Sequence, residues 1–123
     1  MEANELRIGN YLEMLGKVRK IQCISNLPSR KEMYWLTCEN MIDTKIIHFK
    51  PIQLTEEWLL KFGAKELKPK RGVLKELVLK KVRIEMSNSG NFYYKNSKLI
   101  LESVHQLQNL YFALTGEELT VNI

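Results

Sequence analysis

Three sets of residues in this chain have types and spacing that chemistry can use. The first lies in HQLQNLYFALTGEEL, residues 105–119, where His105, Asn109 and Phe112 recur at helical intervals and share one side of a helix. An imidazole there can act as a base only beside a nucleophile or a carboxylate, and this helix offers it amides alone. The leading reading is a sandwiched helix whose His105 and Asn109 hydrogen-bond backbone groups at the junction, and a contact stripe of His105, Asn109 and Phe112 is the alternative. The second set is basic. Between Lys61 and Arg83, nine lysines and arginines face only Glu66 and Glu76, a local charge of +7 in a chain of net +5, so the rest sums to −2. Clustered cations of this kind attract phosphates, and Lys68, Lys70, Arg71, Lys80, Lys81 and Arg83 are the candidates for contacting a nucleic-acid backbone. The bland alternative is a solvated loop and strand edge whose lysines discourage edge pairing. The third set, Cys23, Cys38, His48 and His105, is scattered singly and lacks metal-ligand spacing.

Other chemistry is absent from the sequence. There is no phosphate-cradling glycine loop, no dinucleotide fingerprint, no G-x-S-x-G elbow and no H-E-x-x-H pattern. Neither a cofactor nor a metal is expected, and the chain reads as non-enzymatic. Phe92, Tyr93, Tyr94, Tyr34 and Trp35 add aromatic rings near the basic segment, as single-strand binders require. In NFYYK the two tyrosines must point to opposite faces of a strand, so at most one can join the lysines.

The elements that position these residues are legible as patterns. Composition is ordinary for a globular chain, at 45% hydrophobic and 27% charged residues, and 123 residues suit a single domain, 1–123. No apolar run is long enough to span a membrane, and the N-terminus lacks the basic start and apolar centre of a signal peptide. A cytoplasmic location with two reduced, buried thiols is the expectation.

RIGNYLEML and KVRKIQCI alternate around Gly16, and MYWLTC and KIIHF follow, predicting four or five short strands in a first sub-module, 1–53. Such spacing suggests a small SH3-like β-barrel. Val18, Ile21 and Cys23 should face inward, with a bulge near Arg19–Ile21 where alternation falters. His48 should be an outward strand residue.

The second sub-module, 54–123, opens with a short helix. Thr55 can cap it, Leu54 and Leu59 staple it, Gly63 ends it, and Trp58, Leu59 and Phe62 make its buried stripe. After the connector KELKPKRG, the run ELVLKKVRIEM and then NFYYK and KLILE predict a three-stranded meander. Ser103 and Gln106 have capping-box spacing, so the last helix begins at Val104 and closes at Gly116. Val104, Leu107, Leu110, Tyr111 and Leu114 should form its buried arc. Phe112, opposite that arc, implies either a helix sandwiched between meander and barrel or a contact surface.

The blocks NELRIGNYL, FKPIQLTEEWLLKFGA and VHQLQNLYFALTGEEL, together with FYYK, resemble a family of small uncharacterised proteins common in Bacteroidetes and in their phages and prophages. The resemblance implies a phage or mobile-element context and brings no activity with it. It also places the basic stretch, at about residues 65–85, in the family's variable part. Separately, RIGNYLEMLGKVRKIQCI, within residues 7–24, is similar to the opening of KOW and other SH3-like barrels, which often bind RNA or protein.

The expectation is thus an α+β chain with an N-terminal SH3-like β-barrel, a short helix, a three-stranded meander and a C-terminal helix. Its function would be binding, to nucleic acid through the basic segment. The alternatives are protein interaction or homo-oligomer assembly through an apolar patch, and a small enzyme using His48 or His105. No membrane partner is expected.

Overall fold

In the computed structural model, residues 1, 3–26, 34–39, 41–67, 75–95 and 97–121 are described. The architecture is α+β, with two antiparallel sheets and two α-helices among these residues. The chain divides into two compact units, Met1–Ile52 and Gln53–Asn122.

The first unit carries the sheet β1 (Tyr11–Met14), β2 (Lys17–Asn26), β3 (Tyr34–Cys38) and β4 (Thr44–Lys45), paired in that order. A two-residue loop, Leu15–Gly16, joins β1 to β2 with both residues at positive φ, +52° and +73°. That conformation matches the twist of the flanking strands and explains why glycine stands at the second position. Before β1, Gly9 N donates to Ile21 O at 2.8 Å and Ile21 N to Asn10 O at 2.9 Å, which prolongs the pairing. Asn10 is buried, and its Oδ1 accepts from Arg7 N at 2.7 Å.

Beyond β4 the chain turns through a 3-10 helix, Ile46–His48, and returns Lys50 alongside Glu13 of β1 with bonds of 2.9 and 2.8 Å. The sheet is thereby partly curled on itself, like a half-barrel. Leu6, Leu12, Met14, Ile21, Leu36, Cys38 and Phe49 form its core.

Three expectations for this unit are corrected. KIIHF is mostly a 3-10 turn, not a strand, and His48 is exposed on it. The bulge lies between Ile21 and Cys23, later than the alternation suggested. It shifts the inward phase by one residue, so Cys23 is exposed while Cys38 stays buried; both are free thiols.

In the second unit, α1 (Glu56–Lys61) is capped by Thr55, whose hydroxyl accepts from Trp58 N at 3.3 Å. Leu54 and Leu59 are buried on either side of that cap. Trp58 and Phe62 are only half-buried, their rings 5.7 Å apart, so Leu59 alone of the expected stripe is fully covered. Lys75 Nζ meets Glu56 Oε1 at 2.8 Å and Glu66 Oε1 at 3.8 Å, tying the first turn of α1 to the following sheet.

That sheet has five strands in chain order: β5 (Lys65–Leu67), β6 (Lys75–Leu79), β7 (Val82–Met86), β8 (Phe92–Tyr94) and β9 (Ile100–Leu101). The three-stranded expectation fails at two places. The connector begins as a strand, and ELVLKKVRIEM is a hairpin whose two-residue loop is Lys80–Lys81. Lys80 sits at φ +53° without the Asn, Asp or Gly that marks such loops.

The last helix, α2 (Val104–Thr115), has the expected capping box. Ser103 Oγ accepts from Gln106 N at 3.4 Å, and Gln106 Oε1 accepts from Ser103 N at 3.2 Å and from Glu102 N at 2.8 Å. Gly116 closes it in the left-handed conformation. Its buried arc differs from the apolar one. Val104, His105, Leu107, Gln108 and Tyr111 are buried, whereas Leu110 is half-buried and Leu114 is 49% exposed. Gln108 is accommodated because its Nε2 donates to Leu119 O at 3.0 Å, so the helix face also binds the segment that follows it.

Candidate functional site

Strand alternation sorts the side chains of the second sheet onto two faces. Leu77, Leu79, Val82, Ile84, Phe92 and Leu101 are in register across β6 to β9 and are buried, which makes theirs the inner face. The other face carries Leu67, Glu76, Glu85, Tyr93 and Ile100 in one cross-strand row. Lys65, Val78 and Arg83 lie in the next row, where Lys95 N donates to Arg83 O at 3.0 Å. Arg83 and Ile100 are exposed and Tyr93 and Val78 half-buried, so this is the outer face.

Glu76 is the exception on that face, since it is only 1% exposed. Its Oε1 lies 3.3 Å from Lys95 Nζ and 3.5 Å from Arg83 Nη1 and accepts no hydrogen bond among the described residues. A carboxylate withdrawn from water survives in charged form only beside cations. Here two are brought to one oxygen, one from the diagonal position on β7 and one from just past β8. Sequence reasoning missed this group because it took β6 and β7 for one strand. With Lys80–Lys81 recognised as the turn, Leu79 pairs with Val82 and the register carries Arg83 to the diagonal neighbour of Glu76.

The candidate phosphate contacts fare unequally. Lys68, Lys70 and Arg71 lie outside the described residues. Lys80 and Lys81 form the hairpin loop and are exposed. Lys80 is ion-paired with Glu117, and that hydrogen bond, then its charge, raise the Lys80 pKa above the ordinary value. Lys81 takes part in no ion pair among the described residues. Arg83 is bound to Glu76 as above. Of the aromatic candidates, Tyr93 shares the outer face with Arg83 and Lys95, while Tyr94 is paired with Ile84 on the inner one. Trp35, in the first unit, is half-buried with Lys45 Nζ 5.7 Å from its ring centre.

His105, Asn109 and Phe112 do not make one accessible stripe. His105 is buried in the first turn of α2, Asn109 is half-buried, and Phe112 is 36% exposed. A groove of about 330 Å³ beside β8 and β9 is lined by Gln53, Leu54, Gly90, Asn91, Phe92, Ile100, Leu101 and Glu102, none of them a histidine or cysteine. Among the described residues no three His, Cys, Asp or Glu side chains gather as a metal site, and no helix is long and apolar enough to cross a membrane. No protein-family model, curated protein or solved structure matches the chain.

Proposed function

We propose that the chain is a non-enzymatic binding module that holds single-stranded nucleic acid on the outer face of its second sheet. The observation that carries this reading is the sharing of that face by the Tyr93 ring with Arg83, Lys95 and Lys65. A ring offers a stacking surface to any base, and flanking cations hold the backbone. Lys81 extends the basic surface from the hairpin loop, and Lys68, Lys70 and Arg71 follow β5 in the sequence. Glu85 and Glu76 on this face lower its net charge, which favours modest affinity and fast release.

The first unit, on this reading, is an SH3-like barrel. Its 3-10 turn ahead of Lys50 and the return of Lys50 to β1 support that. A cytoplasmic site of action suits the free thiols Cys23 and Cys38, and a phage or mobile-element origin accords with the resemblance of the three sequence blocks.

Fluorescence anisotropy with a labelled single-stranded oligonucleotide of about 12 nucleotides tests the reading. Three to four phosphate contacts give a slope of log affinity against log salt of roughly −2 to −3. Absence of binding at low salt, or binding indifferent to salt, overturns it.

The exposure of Phe112 on α2 favours a second reading, a protein-interaction or self-assembly surface. Light scattering of the purified chain distinguishes them. A dimer that Phe112→Ser dissolves, in a chain that binds no oligonucleotide at low salt, would select the second.

A further inference from the structure

We infer that Arg83 and Lys95 form a clamp for one phosphate group on the outer face of the second sheet, with buried Glu76 as the counterion that fixes their two heads. The inference rests on the nucleic-acid reading for the source of the phosphate, and it names the place where the backbone is held.

Charge is the first argument. Glu76 is buried and meets both cations through the same oxygen, and with Lys65 and Glu85 counted the charged residues of these two rows carry a net +1. The second argument is donor capacity. An ammonium has three N–H donors, and the Lys95 side chain is 17% exposed. Glu76 Oε1 is its one anionic neighbour among the described residues. Arg83 has 48% side-chain exposure, and its planar fork has donors besides Nη1 for a second anion.

Geometry is the third. Because Arg83 Nη1 and Lys95 Nζ lie 3.5 and 3.3 Å from one oxygen, they are within about 7 Å of each other. A phosphate accepting at two oxygens through charge-assisted bonds of about 2.8 Å bridges nitrogens roughly 5 to 8 Å apart. The backbone bond from Lys95 N to Arg83 O, 3.0 Å, keeps the two side chains rooted opposite each other. Tyr93, two residues before Lys95 on the same face, lies in the adjoining cross-strand row, where a base next to the held phosphate can reach its ring.

The test uses the intact chain, with two probes and three variants. Inorganic phosphate is titrated while amide resonances are followed by NMR, and the 12-nucleotide single strand is titrated by anisotropy. Wild-type protein is expected to show saturable phosphate shifts centred on Arg83 and Lys95. Arg83→Gln and Lys95→Gln should abolish those shifts, weaken oligonucleotide binding about tenfold each, and reduce the salt slope by roughly 0.7. Lys95→Arg keeps the charge beside Glu76 and should retain both kinds of binding, which separates loss of the clamp from loss of the fold.

If phosphate shifts these residues but no oligonucleotide binds, the nucleic-acid reading falls and the clamp stands as a site for a free phosphate group. If the oligonucleotide binds and both glutamine variants match wild type, the clamp is overturned and the reading survives. Phosphate shifts that persist unchanged in both variants also overturn it.

Discussion

Replacing Gln108 by alanine should destabilise the protein far more than replacing Leu114, although hydropathy alone ranks them the other way. The arc of α2 that is buried runs through Val104, Leu107, Gln108 and Tyr111, and Leu114 is 49% exposed. Gln108 is fully buried, and its Nε2 donates to the carbonyl of Leu119, itself a buried residue, at 3.0 Å. Gln108→Ala removes that donor and leaves a carbonyl without its partner, at a cost of about 1–3 kcal/mol. It also leaves a void where the side chain was, which adds to the loss. A total of about 2–4 kcal/mol follows. Leu114→Ala deletes a half-exposed side chain and installs the best helix former, so its cost should stay below about 1 kcal/mol.

Urea unfolding followed by far-UV circular dichroism measures both. With a slope of about 2 kcal/mol/M, Gln108→Ala should lower the midpoint by about 1–2 M and Leu114→Ala by less than about 0.5 M. Equal shifts, or a larger one for Leu114→Ala, would mean that α2 faces its neighbours as the apolar pattern alone suggests. The placement of Gln108 would then be wrong, and with it the tethering of the segment after Gly116.

Other outcomes follow from single sites. Leu15 is 86% exposed at φ +52°, so Leu15→Asn, which creates the favoured Asn-Gly loop, should stabilise by about 0.5–1 kcal/mol in urea unfolding. An aromatic disulfide reagent should titrate one thiol, Cys23, quickly in native protein, and the second, Cys38, only after denaturant is added. Burial raises the Cys38 pKa above its ordinary 9.0, with Arg19 opposing, and the hydrogen bond from Lys75 to Glu56 raises Lys75 above 10.5. In both cases the folded state holds its proton longer than the unfolded chain. Their contributions are therefore complete below pH 9 and are lost as pH rises through the folded-state values. Unfolding free energy measured from pH 8 to 11 should fall, with the earlier part of the slope missing in Cys38→Ala and the later part reduced in Lys75→Met. Ser103→Ala should cost about 1 kcal/mol in the same urea assay, because the Gln106 amide loses its acceptor.

What the sequence reveals of this fold tracks how local the cause is. Thr55 and Gly63 bracket α1, and Ser103, Gln106 and Gly116 bracket α2, because caps act within four residues and depend on side-chain type. The turn at Ser87–Asn91 is equally plain, closed by Gly90 N to Ser87 O at 2.9 Å. The Lys80–Lys81 loop is not, since neither residue prefers positive φ and the strands on both sides continue the same alternation. Tertiary pairing of Leu77 with Ile84 and of Leu79 with Val82 forces the chain to reverse there. The face of α2 was misread for a related reason. A glutamine looks solvent-bound until the carbonyl it will meet, eleven residues away, is known.

The same distinction governs the candidate site. Charge density pointed to residues 61–83 as a whole, and density is blind to pairing. Lys80 turns out to be committed to Glu117, so it is worth less to a diffusing polyanion than a count of charges suggests. Lys95 stood outside the counted segment, yet sheet pairing puts it against Arg83, with its ammonium 3.3 Å from buried Glu76. A buried acid obliges the fold to bring cations to it. The cations so gathered meet at one carboxylate oxygen, and on the proposed reading this placement, more than the number of positive charges, would let the outer face hold a phosphate.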